Sequence, residues 1–166
     1  MAEQATLVLI KPDAVQKRLT GLVLARLEDA QLQLIGAKVI RVSRALAEEH
    51  YKALREKPFF QELLQHLCGD LHGGAPVLAL VYAGPEAILK VRKLAGATNP
   101  DHADPTTIRG AFGRNTLEGV MENVLHASSD DREAAREIAL WFRPEELIEP
   151  LRSGRPAVST AQNKEA

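Results

Sequence analysis

The chain has 166 residues, 45% apolar and 26% charged, the size and balance of one ordinary globular domain with at most a tail. Lys and Arg total 21 against 22 Asp and Glu, and a net charge of −1 argues against a dedicated nucleic-acid binder. The single Cys68 excludes an internally disulfide-stapled fold, and 4% aromatic residues are too few for an extended base-stacking platform.

No apolar run approaches the roughly 20 residues needed to span a bilayer. The first residues, Met-Ala-Glu-Gln-Ala, lack the basic and apolar regions of a signal peptide. The expectation is a soluble, cytoplasmic domain without membrane contact.

Residues 6–10 (Thr-Leu-Val-Leu-Ile) form a short apolar run that stops at Lys11-Pro12-Asp13, as a buried strand entering a loop does. Residues 22–30 alternate apolar and charged positions at helical spacing, with Gly21 before them. Residues 39–43 are a second strand candidate. Residues 47–56 read as helix, Pro58 interrupts, and residues 59–67 resume as helix. Three glycines and a proline make residues 69–76 a loop. Residues 77–82 (Val-Leu-Ala-Leu-Val-Tyr) are the strongest strand signal in the chain. Pro85 is expected in the first turn of a helix over 86–94. Residues 95–119 hold four glycines and two prolines and read as one long loop, a kind of segment that is usually functional or disordered.

Residues 123–127 are the expected last core strand. Ser128 or Ser129 then caps a helix whose apolar stripe is Ala134, Ile138, Trp141 and Phe142. Strands and helices in this order predict an α+β fold, a ferredoxin-like split βαβ sheet with helices packed on it. The expected domain is 1–150, with a polar, aperiodic tail over 151–166.

The usual phosphate loops are absent, since neither Gly-x-x-x-x-Gly-Lys-Ser/Thr nor Gly-x-Gly-x-x-Gly occurs. Any nucleotide phosphates must then be held by side chains. Lys11 follows a buried strand directly and can present a point charge at a sheet edge; a solvated lysine is the alternative. His126 sits in Asn123-Val124-Leu125-His126, before the capped helix. An imidazole there can act as a nucleophile near neutral pH, or pack as a bonded core group. Glu137 falls on the helix side that could fix its tautomer. Arg92 and Arg109 can clamp phosphate oxygens with forked donors, and Thr98 can add one hydrogen bond; surface salt bridging is the alternative.

Tyr51 and Lys57-Pro58-Phe59-Phe60 offer rings at a helix break, one expected exposed and one buried. His66, Cys68, Asp70 and His72 place four potential metal ligands within seven residues. Their spacing matches no usual zinc pattern, and a helix followed by a glycine-rich loop should splay them apart.

Together these segments resemble the nucleoside diphosphate kinase family from residue 6 to about residue 149. The motifs occur in the family's order: Thr-Leu-Val-Leu-Ile-Lys-Pro-Asp-Ala-Val, His-Tyr, Lys-Pro-Phe-Phe, Gly-Ala-Thr-Asn-Pro, Thr-Ile-Arg-Gly, Asn-Val-Leu-His-Ala-Ser and Glu-Ile-Ala-Leu-Trp-Phe-Arg-Pro-Glu-Glu-Leu. The resemblance implies transfer of the γ-phosphate of a nucleoside triphosphate to a nucleoside diphosphate through a phosphohistidine on His126. It implies that Lys11, Tyr51, Arg92, Thr98, Arg109 and Asn123 contact phosphates, sugar or developing charge. Phe59 would stack on the base, and Glu137 would orient His126 with Ser128 nearby. Mg²⁺ would arrive on the nucleotide phosphates, with no ligand from protein side chains. The family forms dimers assembled into hexamers or tetramers, and Pro100 matches a residue at its subunit contacts, which implies a closed symmetric assembly; a hexamer is favoured over a tetramer.

The chain also departs from the family pattern. The stretch from Arg109 to His126 and the loop 69–74 are both longer. The familiar Gly-Arg-Asn stands early, at Gly113-Arg114-Asn115, so Asn115 rivals Asn123. His-Ala-Ser-Ser replaces the commoner His-Gly-Ser-Asp. A second reading is therefore a low-activity family member serving as an oligomeric nucleotide-binding or regulatory protein; acid-labile label from γ-labelled ATP would discriminate the two.

Overall fold

The computed structural model describes residues 3–149, so the expected tail over 151–166 lies outside the described residues. Seven helices and a four-stranded sheet form the described fold. In chain order they are β1 (Glu3–Ile10), α1 (Pro12–Gln16), α2 (Thr20–Glu28), β2 (Gln33–Ile40), α3 (Arg44–His50), α4 (Phe60–Cys68), β3 (Val77–Pro85) and α5 (Ala87–Ala95). Then come α6 (Ile108–Phe112), a two-residue ribbon β4 (Arg114–Asn115) with β5 (Met121–Glu122), β6 (Leu125–Ala127) and α7 (Asp131–Trp141). The sheet order is β2-β3-β1-β6, and every neighbouring pair is antiparallel. Each βαβ crossover is split by an intervening strand, the ferredoxin-like arrangement expected from the sequence.

The central strand β1 is apolar at consecutive positions because helices cover both faces of the sheet. Leu7 and Leu9 pack with Leu64, Leu67 and Trp141 on one side. Val8 and Ile10 pack with Val23, Leu27, Val91 and Ile108 on the other. The end of β1 therefore projects Lys11 from a rigid support.

Several boundaries differ from expectation. The segment Lys11-Pro12-Asp13 is not a simple loop. Pro12 stands at the first position of the short helix α1, where its missing N–H costs nothing. β2 spans Gln33–Ile40, so residues 41–43 leave the strand and Ser43 instead caps α3, accepting from the Leu46 N–H. The helix expected over 47–56 ends at His50, followed by a 3-10 turn over Lys52–Leu54.

Pro85 ends β3 rather than opening a helix, because the ladder with β1 runs on to the Glu3–Pro85 pair. The long loop 95–119 contains a 3-10 turn over Pro100–His102, the helix α6 capped by Thr107, and the strand β4. Pro100 is buried within the chain itself. Asp130 is the cap of α7 and accepts from the Glu133 N–H, so neither Ser128 nor Ser129 has that role.

The last strand is shortened at its start. Residues 123 and 124 stand outside β6, and Val124 has a φ of 72°. That left-handed conformation is costly for a β-branched residue. It turns the chain between Asn123 and His126. Three residues along a regular strand would place these two on opposite faces.

Candidate active site

A cleft of about 490 Å³ opens where β1, β6 and the ends of α4, α5 and α7 meet. Lys11, Tyr51, Phe59, Arg92, Thr98, Arg109, Asn123, His126 and Glu137 all line it. Nine residues singled out from the sequence thus converge on one concavity. Ser128 does not line the cleft. It is fully buried behind Glu137, where its hydroxyl donates to Glu137 Oε2 at 2.6 Å and accepts the Leu7 N–H at 3.1 Å.

His126 rides on β6, opposite Leu9 of β1. Its Nε2 lies 2.9 Å from Glu137 Oε1. Burial alone would raise the Glu137 carboxyl, but His126, Ser128 and Arg136 together hold it below its ordinary range. An ionised Glu137 accepts a hydrogen bond from Nε2–H, which leaves His126 Nδ1 with its lone pair available.

The sequence reading missed His50. Its ring meets that of His126 edge-on, centroids 4.5 Å apart. The Trp141 indole N–H donates to His50 Nδ1 at 3.1 Å, which puts the His50 proton on Nε2. Burial, then the neighbouring His126, Arg136 and Lys11, keep this ring well below the ordinary histidine range, so it stays neutral. The donor atoms of His50, His126 and Glu137 lie within 4.8 Å of one another, close enough to interest a metal ion. Glu137 already spends both oxygens on His126 and Ser128, and His50 spends Nδ1 on Trp141. The cluster is therefore built to orient an imidazole.

Positive charge stands beside it. Lys11 is buried, and its ammonium donates to Asn123 Oδ1 at 2.7 Å. Burial brings its pKa down to about 8; Asp13 opposes this and Arg109 adds to it. Arg109 donates to the backbone carbonyls of Gly96, Leu125 and Asn123 at 2.8, 2.9 and 3.3 Å. Burial first, then Arg92, brings it to about 10. Two of its five N–H groups remain for a ligand.

Gly96 makes that geometry available. Its φ is +83°, and a Cβ there would fall 2.2 Å from Thr107 Oγ1. Arg92 and Thr98 are exposed on the rim. Tyr51 is half-buried, and its phenol is pushed above the ordinary tyrosine range by burial and by Glu137.

Phe59 is 47% exposed and Phe60 only 6%, as a ring pair at a helix break was expected to be. Asn123 donates to the Thr98 carbonyl at 3.0 Å, inside the cleft. Asn115 lies on β4, exposed, and donates to Asn99 Oδ1 and Asp101 Oδ2. Glu62, His66 and Met121 also line the cleft without having been anticipated as site residues. The α4 periodicity following Phe59 could have flagged Glu62 and His66. The expectation that His66, Cys68, Asp70 and His72 splay apart fails for the two histidines, whose rings meet at 4.7 Å. Gly69, left-handed at φ +85°, ends α4 and folds His72 back against it.

The sequence profile of nucleoside diphosphate kinase matches residues 4–147. The nucleoside diphosphate kinase of Pyrococcus horikoshii is 46% identical over 146 residues, covering 88% of this chain and 89% of that protein. The enzyme of Symbiobacterium thermophilum is 47% identical over 139 residues, 84% of this chain and 87% of its own length. Among solved structures, a halophilic nucleoside diphosphate kinase from Halobacterium salinarum in complex with CDP superposes with a TM-score of 0.81 at 38% identity, covering 92% of this chain and 95% of that one. A transition-state mimic of the Borrelia burgdorferi enzyme with bound vanadate and ADP gives 0.81 at 34% identity, covering 91% and 94%. A cleft that pairs an oriented imidazole with buried cations, on this fold and with these relatives, is that of a phosphotransferase: the chain belongs to the nucleoside diphosphate kinase family.

Proposed function

We propose that His126 Nδ1 is the nucleophile of a two-step phosphoryl transfer. In the first step Nδ1 attacks the γ-phosphorus of a nucleoside triphosphate. The N–P bond forms, the bond from that phosphorus to the β,γ-bridging oxygen breaks, and the nucleoside diphosphate leaves with the electron pair. In the second step a β-phosphate oxygen of another nucleoside diphosphate attacks the phosphohistidine and frees the ring. Glu137 keeps Nε2–H bound throughout and balances charge as the ring is phosphorylated. The observation that carries this reading is the 2.9 Å contact between His126 Nε2 and Glu137, which commits one nitrogen and leaves the other for chemistry in a cleft lined by Lys11, Arg92 and Arg109.

Phosphoryl transfer asks chiefly for positioning and for positive charge where negative charge shifts. Lys11, Arg92 and Arg109 supply the charge, Thr98 and Tyr51 add hydroxyl donors, and Asn123 with Lys11 meets the sugar. Phe59 presents an exposed ring to the base. Stacking on one ring face discriminates bases weakly, so ATP, GTP and other nucleotides all fit.

The lining suits Mg²⁺ arriving on the nucleotide. Both oxygens of Glu137 already accept hydrogen bonds, from His126 and Ser128, and the cleft's other carboxylate, Glu62, is exposed. When bound to the phosphates the ion neutralises charge on the transferring group.

The edge strand β2 exposes Leu34 and Val39, which supports a homo-oligomer; a hexamer is the state we expect, checked by sedimentation. No helix among the described residues is long and apolar enough to cross a membrane, and we place the enzyme in the cytoplasm, where its substrates are.

Incubation of the pure protein with γ-labelled ATP tests the mechanism. Acid-labile label on the chain that a nucleoside diphosphate removes supports it. Nucleotide binding without label would support a regulatory role instead.

A further inference from the structure

A second group of buried titratable side chains runs back from His66 in the cleft wall, and the transfer steps do not use it. His66 on α4 places Nε2 3.0 Å from Asp13 Oδ1. Its Nδ1 is 3.5 Å from His72 Nε2. His72 Nδ1 in turn stands 3.8 Å from Glu122 Oε1. All four residues are buried. Lys17 and Arg114 hold the other oxygen of Glu122.

The inner end of this chain is backbone. Asp13 Oδ2 accepts the N–H of Val124 at 3.0 Å, and the Lys11 N–H donates to the Val124 carbonyl at 2.8 Å. Val124 is the left-handed residue that turns Asn123 into the cleft. Such a conformation persists only where its surroundings hold it. Two loop-bearing stretches each supply a member, His72 from 69–74 and Glu122 from 113–122.

Proton counting fixes the tautomers of the chain. Burial opposes ionisation of Asp13, yet His66, Lys11 and the Val124 N–H hold it below the ordinary carboxyl range. Arg114 and Lys17 do the same for Glu122 against its burial. Asp13 is a carboxylate, so His66 Nε2 donates to it, and His66 Nδ1 is left to accept from His72 Nε2–H. Burial and the neighbouring His66 push His72 down, which keeps that ring neutral. Glu122 Oε1, 3.8 Å from His72 Nδ1, is beyond hydrogen-bond reach of it.

We propose that His66 links His72 to Asp13 by hydrogen bonds, and that this chain fixes the Val124 turn and so holds Asn123 at the nucleotide. Both histidines are then positioning residues for the transfer, acting through Asn123. The charged groups facing them are Asp13 of α1, Lys17 just after it, Lys11 after β1, Arg114 of β4 and Glu122 of β5. The proposal rests on the reading of Asn123 as a nucleotide contact.

Two measurements on the full chain test it. Long-range ¹H–¹⁵N correlation on the neutral rings should show both His66 and His72 protonated on Nε2. A proton on His66 Nδ1 would overturn the order of the chain.

The second measurement is a double-mutant cycle in kcat/KM for a nucleoside diphosphate. His72→Ala alone should cost about three- to tenfold, and Asn123→Ala about ten- to a hundredfold. The double variant should be no worse than Asn123→Ala, because His72 acts through that side chain. Losses that multiply, or no loss in His72→Ala, overturn the positioning role. If Asn123→Ala itself costs less than about threefold, the nucleotide-contact reading fails instead, and the spectra still decide the tautomers. Should His72→Ala not fold, His72→Gln takes its place, since its amide keeps one donor and one acceptor.

Discussion

Two histidine–carboxylate pairs, one at His126 and one at His66, are used differently. At His126 a single nitrogen is fixed, by Glu137, while the other is left to the cleft. At His66 both nitrogens are engaged, by Asp13 and by His72. The distances to the carboxylates are nearly equal, 2.9 and 3.0 Å, so the contact itself does not make a nucleophile. What separates the two is the second nitrogen. A ring with one committed edge and one open edge can do chemistry, while a ring committed on both edges holds structure.

The comparison is broken most directly at His126. His126→Ala should abolish phosphoenzyme formation, read as loss of acid-labile label, while ADP affinity stays within about threefold. Retained turnover would move the nucleophile elsewhere. The carboxylates should then diverge. Glu137→Gln keeps shape but removes the charge facing Nε2, and turnover should fall about a hundredfold with little change in melting temperature. Asp13→Asn should act chiefly on the fold, costing about 1–3 kcal/mol by denaturant titration, because one of its two buried donors loses an acceptor. Equal kinetic effects from the two substitutions would mean that the pairs are not distinct in role.

Asn123 and Asn115 sharpen the same contrast between a residue the site holds and one outside it. Asn123→Ala should lower turnover about ten- to a hundredfold, a loss of about 1.5–3 kcal/mol. Asn115→Ala should stay within about threefold, since its amide bonds only to Asn99 and Asp101. Phe59→Ala should weaken all nucleotides alike by about 1–3 kcal/mol in equilibrium binding. Phe60→Ala, in the core, should instead cost about 3–5 kcal/mol of stability and leave binding per folded molecule unchanged.

The legibility of these parts from sequence follows their physics. β1 and β3 were plain because both faces of each are covered, which writes an unbroken apolar run. Lys11, Arg92, Thr98, Arg109 and His126 were visible as chemistry-bearing residues, and the family resemblance assembled them. β2 was caught only at its end, since Gly36 and Lys38 dilute its pattern and its register shifts beside Gly36. Helix α6 hid inside a stretch of glycines and prolines because five residues carry too little periodicity. The pairing of His66 with His72 was invisible for another reason. It depends on a left-handed Gly69 reversing the chain, and no spacing rule encodes that. The role of His50 was likewise hidden, because its Trp141 partner is far away in sequence.

A further expected change is in pH dependence, and it probes Asp13, which touches both regions. Lys11 is held to about 8, chiefly by burial, with Asp13 raising it and Arg109 lowering it. As pH rises through about 8 the free enzyme loses the Lys11 proton and with it a charge for the phosphates. The alkaline limb belongs in kcat/KM, which reports the free enzyme, and should fall about tenfold per pH unit. Bound phosphates favour the charged lysine, so kcat should stay flat over the same range. Stability moves the opposite way. The unfolded chain binds the Lys11 proton up to its ordinary value of 10.5, so between about 8 and 10.5 it holds more protons than the folded state, and this lysine's contribution to folding improves as pH rises. Falling kcat/KM with steady or rising stability therefore separates loss of a phosphate contact from unfolding. Lys11→Met should remove the limb, and Asp13→Asn should shift it to lower pH by removing the charge that opposes burial. A kcat/KM profile that stays level to pH 9.5 would show that the Lys11 proton is not needed for nucleotide capture, and Asp13 would then serve the His66 side alone.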